Sequence, residues 1–347
     1  LFKNGMRLQL FYELGNGQEA QREFQYIKVT DGQGVYKWTD YNNDGVQQLD
    51  EFEVAEYADL AQYIRVYTNS VNYLASNKNK LQVALFVNPS VIISSENAFL
   101  KRWNFNLSLL SQNSYMKGSK VLVWNPFEKQ ADQLLRTQNI LASALFNSND
   151  KSGWNGSYRY TDNDNLVNAN YSNEAHGQKS HFLNVGYSFS KTFRADWENT
   201  LQNVTNSSQV YASRNYLLQN WETKPKGTYK LTETLQTELS GALRQKKRTD
   251  GEELLKTYEI SGTLQWEKAK TSVRANFSFI NNDFSGNSFS IVGNQMLEGL
   301  KAGKNQVWTL YIQQAINSFI QLNVNYEGRN SGDRTIHIGS MQIRASF

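Results

Sequence analysis

Residues 260–267 read Ile260-Ser261-Gly262-Thr263-Leu264-Gln265-Trp266-Glu267, apolar or small at every even position and polar at every odd one. In an extended chain successive side chains point to opposite faces, so this octet carries one greasy face and one wet face. Moving outward, Leu183, Val185, Tyr187 and Phe189 repeat the pattern, and Leu231, Leu235, Leu239 and Leu243 keep the same parity at wider spacing. At the C-terminus Met341, Ile343, Ala345 and Phe347 share one face, with Gln342, Arg344 and Ser346 on the other.

A soluble sandwich also alternates, so run length has to decide. The alternating runs cover 134–147, 152–161, 164–173, 179–190, 192–203, 209–222, 228–243, 254–267, 270–281, 304–314, 317–328 and 335–347. Most exceed the roughly five or six residues of an ordinary strand and reach the nine to eleven that a tilted membrane strand needs. Short turns are expected near 162–163, 191, 223–227, 268–269 and 315–316, alternating with longer polar loops at 148–151, 174–178, 204–208, 244–253, 282–303 and 329–334. Short turns on one rim and long loops on the other are a property of outer-membrane barrels. The terminal Phe347 resembles the C-terminal strand that bacterial barrel-assembly machinery reads. Residues 61–68, 80–88, 101–112 and 119–125 add further strands, with a turn at Asn125-Pro126-Phe127. The expectation is an all-β, transmembrane, antiparallel up-and-down β-barrel of about fourteen to sixteen strands over residues 63–347. Residues 6–29 read as a hairpin turning at Gly15-Asn16-Gly17, placing a small β segment, 1–62, at the end of a larger N-terminal region.

Composition is consistent with this. The 347 residues are polar on average, with mean hydropathy −0.62, yet 13% are aromatic, and only 3 are proline. No run approaches the roughly 18 apolar residues of a membrane helix, while barrel strands look hydrophilic because they alternate. The net charge of +4 is scattered except at Lys246-Lys247-Arg248, so a nucleic-acid footprint is absent. With no cysteine, disulfides and thiolate metal sites are excluded. The chain starts at Leu1-Phe2-Lys3 without a signal peptide, so an upstream segment is expected.

The sharpest local motif is Asp40-Tyr41-Asn42-Asn43-Asp44-Gly45-Val46-Gln47-Gln48-Leu49-Asp50-Glu51, which matches the EF-hand loop pattern D-x-[DN]-x-[DN]-G-x5-E. Asp40, Asn42 and Asp44 supply oxygens at alternate positions and Gly45 permits the sharp turn. Val46 offers its carbonyl, Gln48 sits where a ligand often acts through water, and Glu51 can bind bidentately. These six residues are the candidate ligands of a structural Ca2+. The flanks differ from a paired EF-hand: Val35-Tyr36-Lys37-Trp38 reads as strand, 52–61 as a short helix, and Gln47 stands where an aliphatic is usual. The bland alternative is an Asx-rich turn capping that helix.

Several segments together resemble large, mostly uncharacterised outer-membrane β-barrel proteins of the Bacteroidota that carry a single EF-hand-like loop. They are Tyr36 to Gly45, Asp50 to Glu53, Ala61 to Arg65, Leu297 to Asn305 with Trp308, Asn325 to Arg329, and Ile336 to Gln342. The resemblance implies an integral outer-membrane location and a barrel behind a longer N-terminal region, and it implies no reaction. No catalytic residue and no organic cofactor is assigned. His176, His181 and His337 stand in no Ser/His/Asp spacing, so an outer-membrane hydrolase ranks last and the chain is expected not to be an enzyme. His337 is a candidate for the lumen. The leading reading is a scaffold or subunit of a secretion, barrel-assembly or surface-lipoprotein complex, and the alternative is a solute channel. The expected partners are outer-membrane lipid, lipopolysaccharide and other outer-membrane or surface proteins, and not nucleic acid. Lys246-Lys247-Arg248 with Asp250, Glu252 and Glu253 reads as a solvated hairpin tip within reach of anionic lipopolysaccharide.

Overall fold

In a computed structural model the described residues are 5–93, 99–119, 123–130, 132–147, 153–169, 172–332 and 334–345. Fourteen long strands form one antiparallel up-and-down sheet. They are β1 (Met6–Lys28), β4 (Tyr63–Val87), β5 (Trp103–Met116), β6 (Gln133–Phe146), β7 (Gly153–Ala169), β8 (Ser172–Ser188) and β9 (Phe193–Ser208). They continue as β10 (Tyr216–Lys230), β11 (Leu235–Arg248), β12 (Leu254–Lys268), β13 (Thr271–Ser285), β14 (Gly303–Ala315), β15 (Ile320–Ser331) and β16 (Arg334–Ala345). Two short strands, β2 (Tyr36–Trp38) and β3 (Phe52–Val54), lie in the connection between β1 and β4, and two short helices, α1 (Pro89–Ile92) and α2 (Ile291–Leu297), lie in later connections.

Residues opposite one another in an antiparallel ladder share a face, so the register sorts the whole wall. One row runs Leu201, Trp221, Gln245, Lys256, and another runs Gly241, Ile260, Phe279, Gln306. This outer face exposes Leu10, Trp197, Leu239, Ile260 and Met341, of which Ile260 is 64% exposed. The opposite face is polar and paired with itself. Arg244 bonds Glu222 at 2.5 Å and Glu259 at 2.6 Å, Ser240 meets Ser261 at 2.8 Å, and Thr257 donates to Asn282 at 2.8 Å. Apolar outside, polar inside and a backbone satisfied strand to strand is the arrangement that lipid demands. No helix among the described residues is long and apolar enough to cross a membrane.

The strands end on two rims. Met6 and Ala345 lie on one, here the terminal rim, with connections 88–102, 147–152, 189–192, 231–234, 269–270 and 316–319. The distal rim carries the long connections 29–62, 117–132 and 286–302, together with 209–215 and 249–253. At the distal rim the sheet curls so that Asp59, just ahead of β4, accepts from Arg329 of β15 at 2.6 Å. β1 and β16 stand at the two ends of the strand order.

Several expectations need correction. Residues 6–28 are one continuous strand paired with β4 from Met6–Val87 to Lys28–Tyr63, not a hairpin in a separate segment. Gly15-Asn16-Gly17 stays extended because its partners Lys78, Asn77 and Ser76 continue the ladder. The turn at 162–163 and the loops at 174–178 and 204–208 all lie inside strands. These stretches belong to the distal halves of β7, β8 and β9, where both faces are polar and alternation fades. The expected loop 148–151 lies outside the described residues. The turn at 223–227 is interior to β10. Its ladder to β11 steps from Thr223–Leu243 to Lys226–Ser240, skipping the stretch where Pro225 has no N–H to donate. Phe347 lies outside the described residues.

Two substitutions test the sorting of faces. Ile260→Arg should destabilise the barrel in vesicles by about 2–4 kcal/mol, the usual range for a lipid-facing arginine, read as a lower urea midpoint of the heat-modifiable form. Gln265→Arg, on the lumen face of the same strand, should shift that midpoint far less.

Candidate functional site: a cap across the distal mouth

The connection 29–62 crosses the distal mouth and is fastened to the far wall. Its frame is the β2–β3 hairpin, with Trp38 opposite Phe52 and Tyr36 opposite Val54. The expected helix over 52–61 is therefore replaced by a strand and a 3-10 turn at Ala58–Leu60. The physical reason is aromatic packing. Phe52 is 3% exposed, stacks on Tyr26 at 4.0 Å and meets Tyr63 edge-on at 5.1 Å. Gly34 passes so close to the 61–63 backbone that an added Cβ would stand 2.5 Å from the Tyr63 nitrogen.

Charged groups make the crossing. Lys37, with its side chain 7% exposed, contacts Glu56 at 2.9 Å and Glu53 at 3.7 Å and donates to Asn294 of α2 at 2.9 Å. Tyr41 donates to Glu53 at 2.8 Å and accepts from Asn294 at 2.9 Å. Arg329 on β15 pairs with Asp59 while its guanidinium lies 4.0 Å from the centre of the Tyr57 ring. From the 209–215 connection, Arg214 donates to the Phe52 carbonyl at 2.5 Å and Ser213 donates to Asp50 at 2.9 Å. Beneath α2, Tyr216, Leu218 and Leu255 bury Val292, Met296 and Leu297. Lys246 closes that corner by donating to the Met296 carbonyl at 2.9 Å and to Glu298 at 2.5 Å. Burial drives the Glu53 carboxyl above its ordinary range, opposed by the Tyr41 hydroxyl and by Lys37, and pushes the Tyr26 and Tyr57 phenols up to about 12.

The EF-hand-like loop is the tip of the β2–β3 hairpin. Asp40 accepts from the nitrogens of Asp44 at 3.2 Å and Gly45 at 2.9 Å, Asn42 accepts from Asp44 N at 3.0 Å, and Asp44 accepts from Val46 N at 2.7 Å and the Gln48 amide at 2.7 Å. Gly45 takes φ +72 and Asn43 φ +58, the left-handed conformation that such a turn requires. Asp40, Asn42, Asp44 and Gln48 are thus gathered. Glu51 is not gathered with them: buried at 3% exposure, it accepts from the Trp38 indole at 2.8 Å and the Tyr41 nitrogen at 3.2 Å. Among the described residues no three His, Cys, Asp or Glu side chains stand close enough to hold a metal ion in this conformation. The oxygen donors gathered by Asp40, Asn42, Asp44 and Gln48 fit a hard cation such as Ca2+, while Glu51, the expected bidentate ligand, is engaged elsewhere.

The histidines are dispersed. His181 faces outward and bonds the Tyr158 hydroxyl at 2.8 Å. His176 lies opposite Asn206 on the other face of β8. His337 also faces outward, not into the lumen, bonding Tyr326 at 2.8 Å beside Trp308. The run Lys246-Lys247-Arg248 is not a hairpin tip but the end of β11, whose parity turns Lys246 and Arg248 inward and Lys247 outward. What sequence reasoning missed is the cap itself, because its contacts join residues up to 270 positions apart.

No family model matches the chain, and no curated protein does. Among solved structures it is similar to CdiB from Acinetobacter baumannii at 10% identity and TM-score 0.43, over 95% of this chain. It spans 60% of that CdiB chain. It is also similar to the outer-membrane expressed OmpT of Vibrio cholerae (8% identity, 98% of each chain, TM-score 0.36). A third likeness is to the outer membrane channel DcaP of Acinetobacter baumannii (9% identity, 99% and 98% of the two chains, TM-score 0.37). Likenesses this distant assign no role. The expectation that the chain is not an enzyme is withdrawn, since the matches do not decide enzyme status. The chain's own wall, greasy outside and polar within, makes it an integral outer-membrane β-barrel.

Removing the buried cation of the cap should free it. Lys37→Met leaves Glu53 and Glu56 without their partner, a loss of about 3–5 kcal/mol for a broken buried pair. Amides over 29–62 should exchange faster while the barrel's heat-modifiable migration is unchanged. A pH test follows from Glu53. A carboxyl whose folded value is raised stabilises the cap most below the ordinary glutamate range and loses that contribution as pH rises through the raised value. Exchange corrected for intrinsic rate should show that slope, and Glu53→Gln should flatten it.

Proposed function

We propose that this chain is a capped outer-membrane barrel serving as a scaffold or subunit of an outer-membrane complex of the secretion, barrel-assembly or surface-lipoprotein type. The observation that carries the proposal is the 29–62 connection, held across the distal mouth by Lys37, Arg214 and Arg329. A barrel that passes solutes by diffusion needs an open mouth, whereas a fastened cap presents a fixed surface to other proteins. The sequence resemblance to Bacteroidota outer-membrane proteins supports the location and the barrel, and does not bear on the role. Within it, Asp40, Asn42, Asp44, Val46, Gln48 and Glu51 bind one structural Ca2+ that stiffens the hairpin tip. The support is the match of the loop to the EF-hand pattern and the oxygen-rich turn already formed by Asp40, Asn42 and Asp44. The alternative is a solute channel gated by the same cap.

Planar-bilayer recordings separate the two. The scaffold reading expects little conductance from the intact chain, an open pore when 31–60 is replaced by a short glycine–serine bridge, and stoichiometric partners on gentle purification. Steady porin-like conductance of the intact chain, with no partner, would favour the channel. For the metal, chelation should speed exchange over 30–65 and leave the rest of the barrel unaffected, and Glu51→Gln should reproduce it. Equal protection with and without Ca2+ in metal-free buffer would reduce the loop to an Asx-rich turn.

A further inference from the structure

On the outer wall of β9 to β14 a groove of about 1000 Å³ is lined by Trp197, Leu243, Tyr258, Ile260 and Phe279, with Gly241 at its floor and Lys304 at its edge. The register explains the hollow. Gly241 stands opposite Ile260, which stands opposite Phe279, so a residue without a side chain is flanked by large ones in the same row. Its size is at the top of the roughly 300–1,000 Å³ range of small-molecule sites, larger than one short chain requires.

Three lysines crown this groove. Lys247 is one residue from the distal end of β11 at Arg248, Lys256 is two from the start of β12 at Leu254, and Lys304 is one from the start of β14 at Gly303. All three are exposed and share the outward face: Lys256 stands opposite Gln245 and Asp283, Lys304 opposite Asn281, and Lys247 opposite Leu254. None has an ion-pair or hydrogen-bond partner among the described residues, unlike Lys246 and Arg248, which turn inward and are bonded. Asp283, between Lys256 and Lys304, is the one carboxylate in these rows. Neighbouring strands are about 4.8 Å apart and residues rise about 3.4 Å along a strand; Lys247 stands level with Ser285 and Lys304 with Asn281, so the backbones of these two lysines are separated by about 20 Å, with Lys256 between them. That is wide for a headgroup with a single phosphate and suits one with two. The long connections mark the distal rim as the cell-surface side, so the lysines stand at outer-leaflet headgroup depth with the groove beneath them in hydrocarbon.

We propose that this wall holds one phosphorylated glycolipid of the outer leaflet, its phosphates on Lys247, Lys256 and Lys304 and its acyl chains in the groove over Gly241. The site is independent of the cap and of the scaffold reading.

The test is lipid retention by the full chain in mild detergent, counted by native mass spectrometry after incubation with lipid A, dephosphorylated lipid A or phosphatidylethanolamine. Lipid A should be retained at about one per barrel, and the other two at least tenfold less. The triple variant Lys247→Gln/Lys256→Gln/Lys304→Gln should lose at least tenfold of the lipid A retention. Gly241→Leu should lower it as well, since its added Cβ meets nothing nearer than the Glu259 carbonyl at 3.8 Å and the barrel should fold normally. Undiminished retention by either variant, or equal retention of phosphatidylethanolamine, would overturn the proposal.

Discussion

Hydrocarbon offers no partner to a backbone N–H or C=O, so every spanning residue must be satisfied by a neighbouring strand. The rest of this structure depends on that demand. It explains why adjacent strands pair over long registers, as β7 and β8 do from Gly153–Ser188 to Ala169–Ser172. A continuous ladder in turn fixes the parity of every side chain, because a slip of one residue would turn a whole strand's apolar set into the lumen. The outward rows of Leu, Ile, Phe and Trp and the inward ladder of Ser, Thr, Asn and paired charges are two consequences of one register.

The cap follows from what the ladder leaves over. Strands β1 and β4 run further than a membrane requires, to 23 and 25 residues, and their distal halves rise above the wall. There the hydrophobic term must come from protein rather than lipid. Tyr26, Phe52 and Tyr63 supply it on one side of the mouth, and Met296 with Leu297 against Leu218 and Leu255 on the other. Buried ions then choose the geometry. Lys37 and Arg329 each have two kinds of partner, an acid and either an amide or an aromatic face, so displacing the cap would strand charge in a poorly hydrated place.

Period two was enough to read most of the wall from sequence. From Leu254 onward the expected and observed strands agree closely, because an outward Ile260 or Phe277 always neighbours an inward Ser261 or Ser278. Legibility failed where both faces are wet. Asp162-Asn163 reads as a turn and is strand, since above the bilayer a strand no longer has to alternate. It failed again at 52–61, where a helical pattern yielded to the stacking of Phe52 on Tyr26. The turn from Asp40 to Gly45 was legible in the sequence, including the left-handed Gly45. Its setting was not, because the contacts of Tyr41 with Asn294 and of Asp50 with Ser213 join distant parts of the chain. No local pattern encodes those.

The central claim is that the 29–62 connection lies fastened across the distal mouth, and one pair of atoms reports on it directly. Ser213 donates to Asp50 at 2.9 Å across the interface, and the chain contains no cysteine. Cysteines placed together at positions 50 and 213 in the full chain in intact outer membranes should form a disulfide under mild oxidation, seen as a mobility shift reversed by reductant. A folded, heat-modifiable barrel that carries both cysteines and never cross-links would contradict the account.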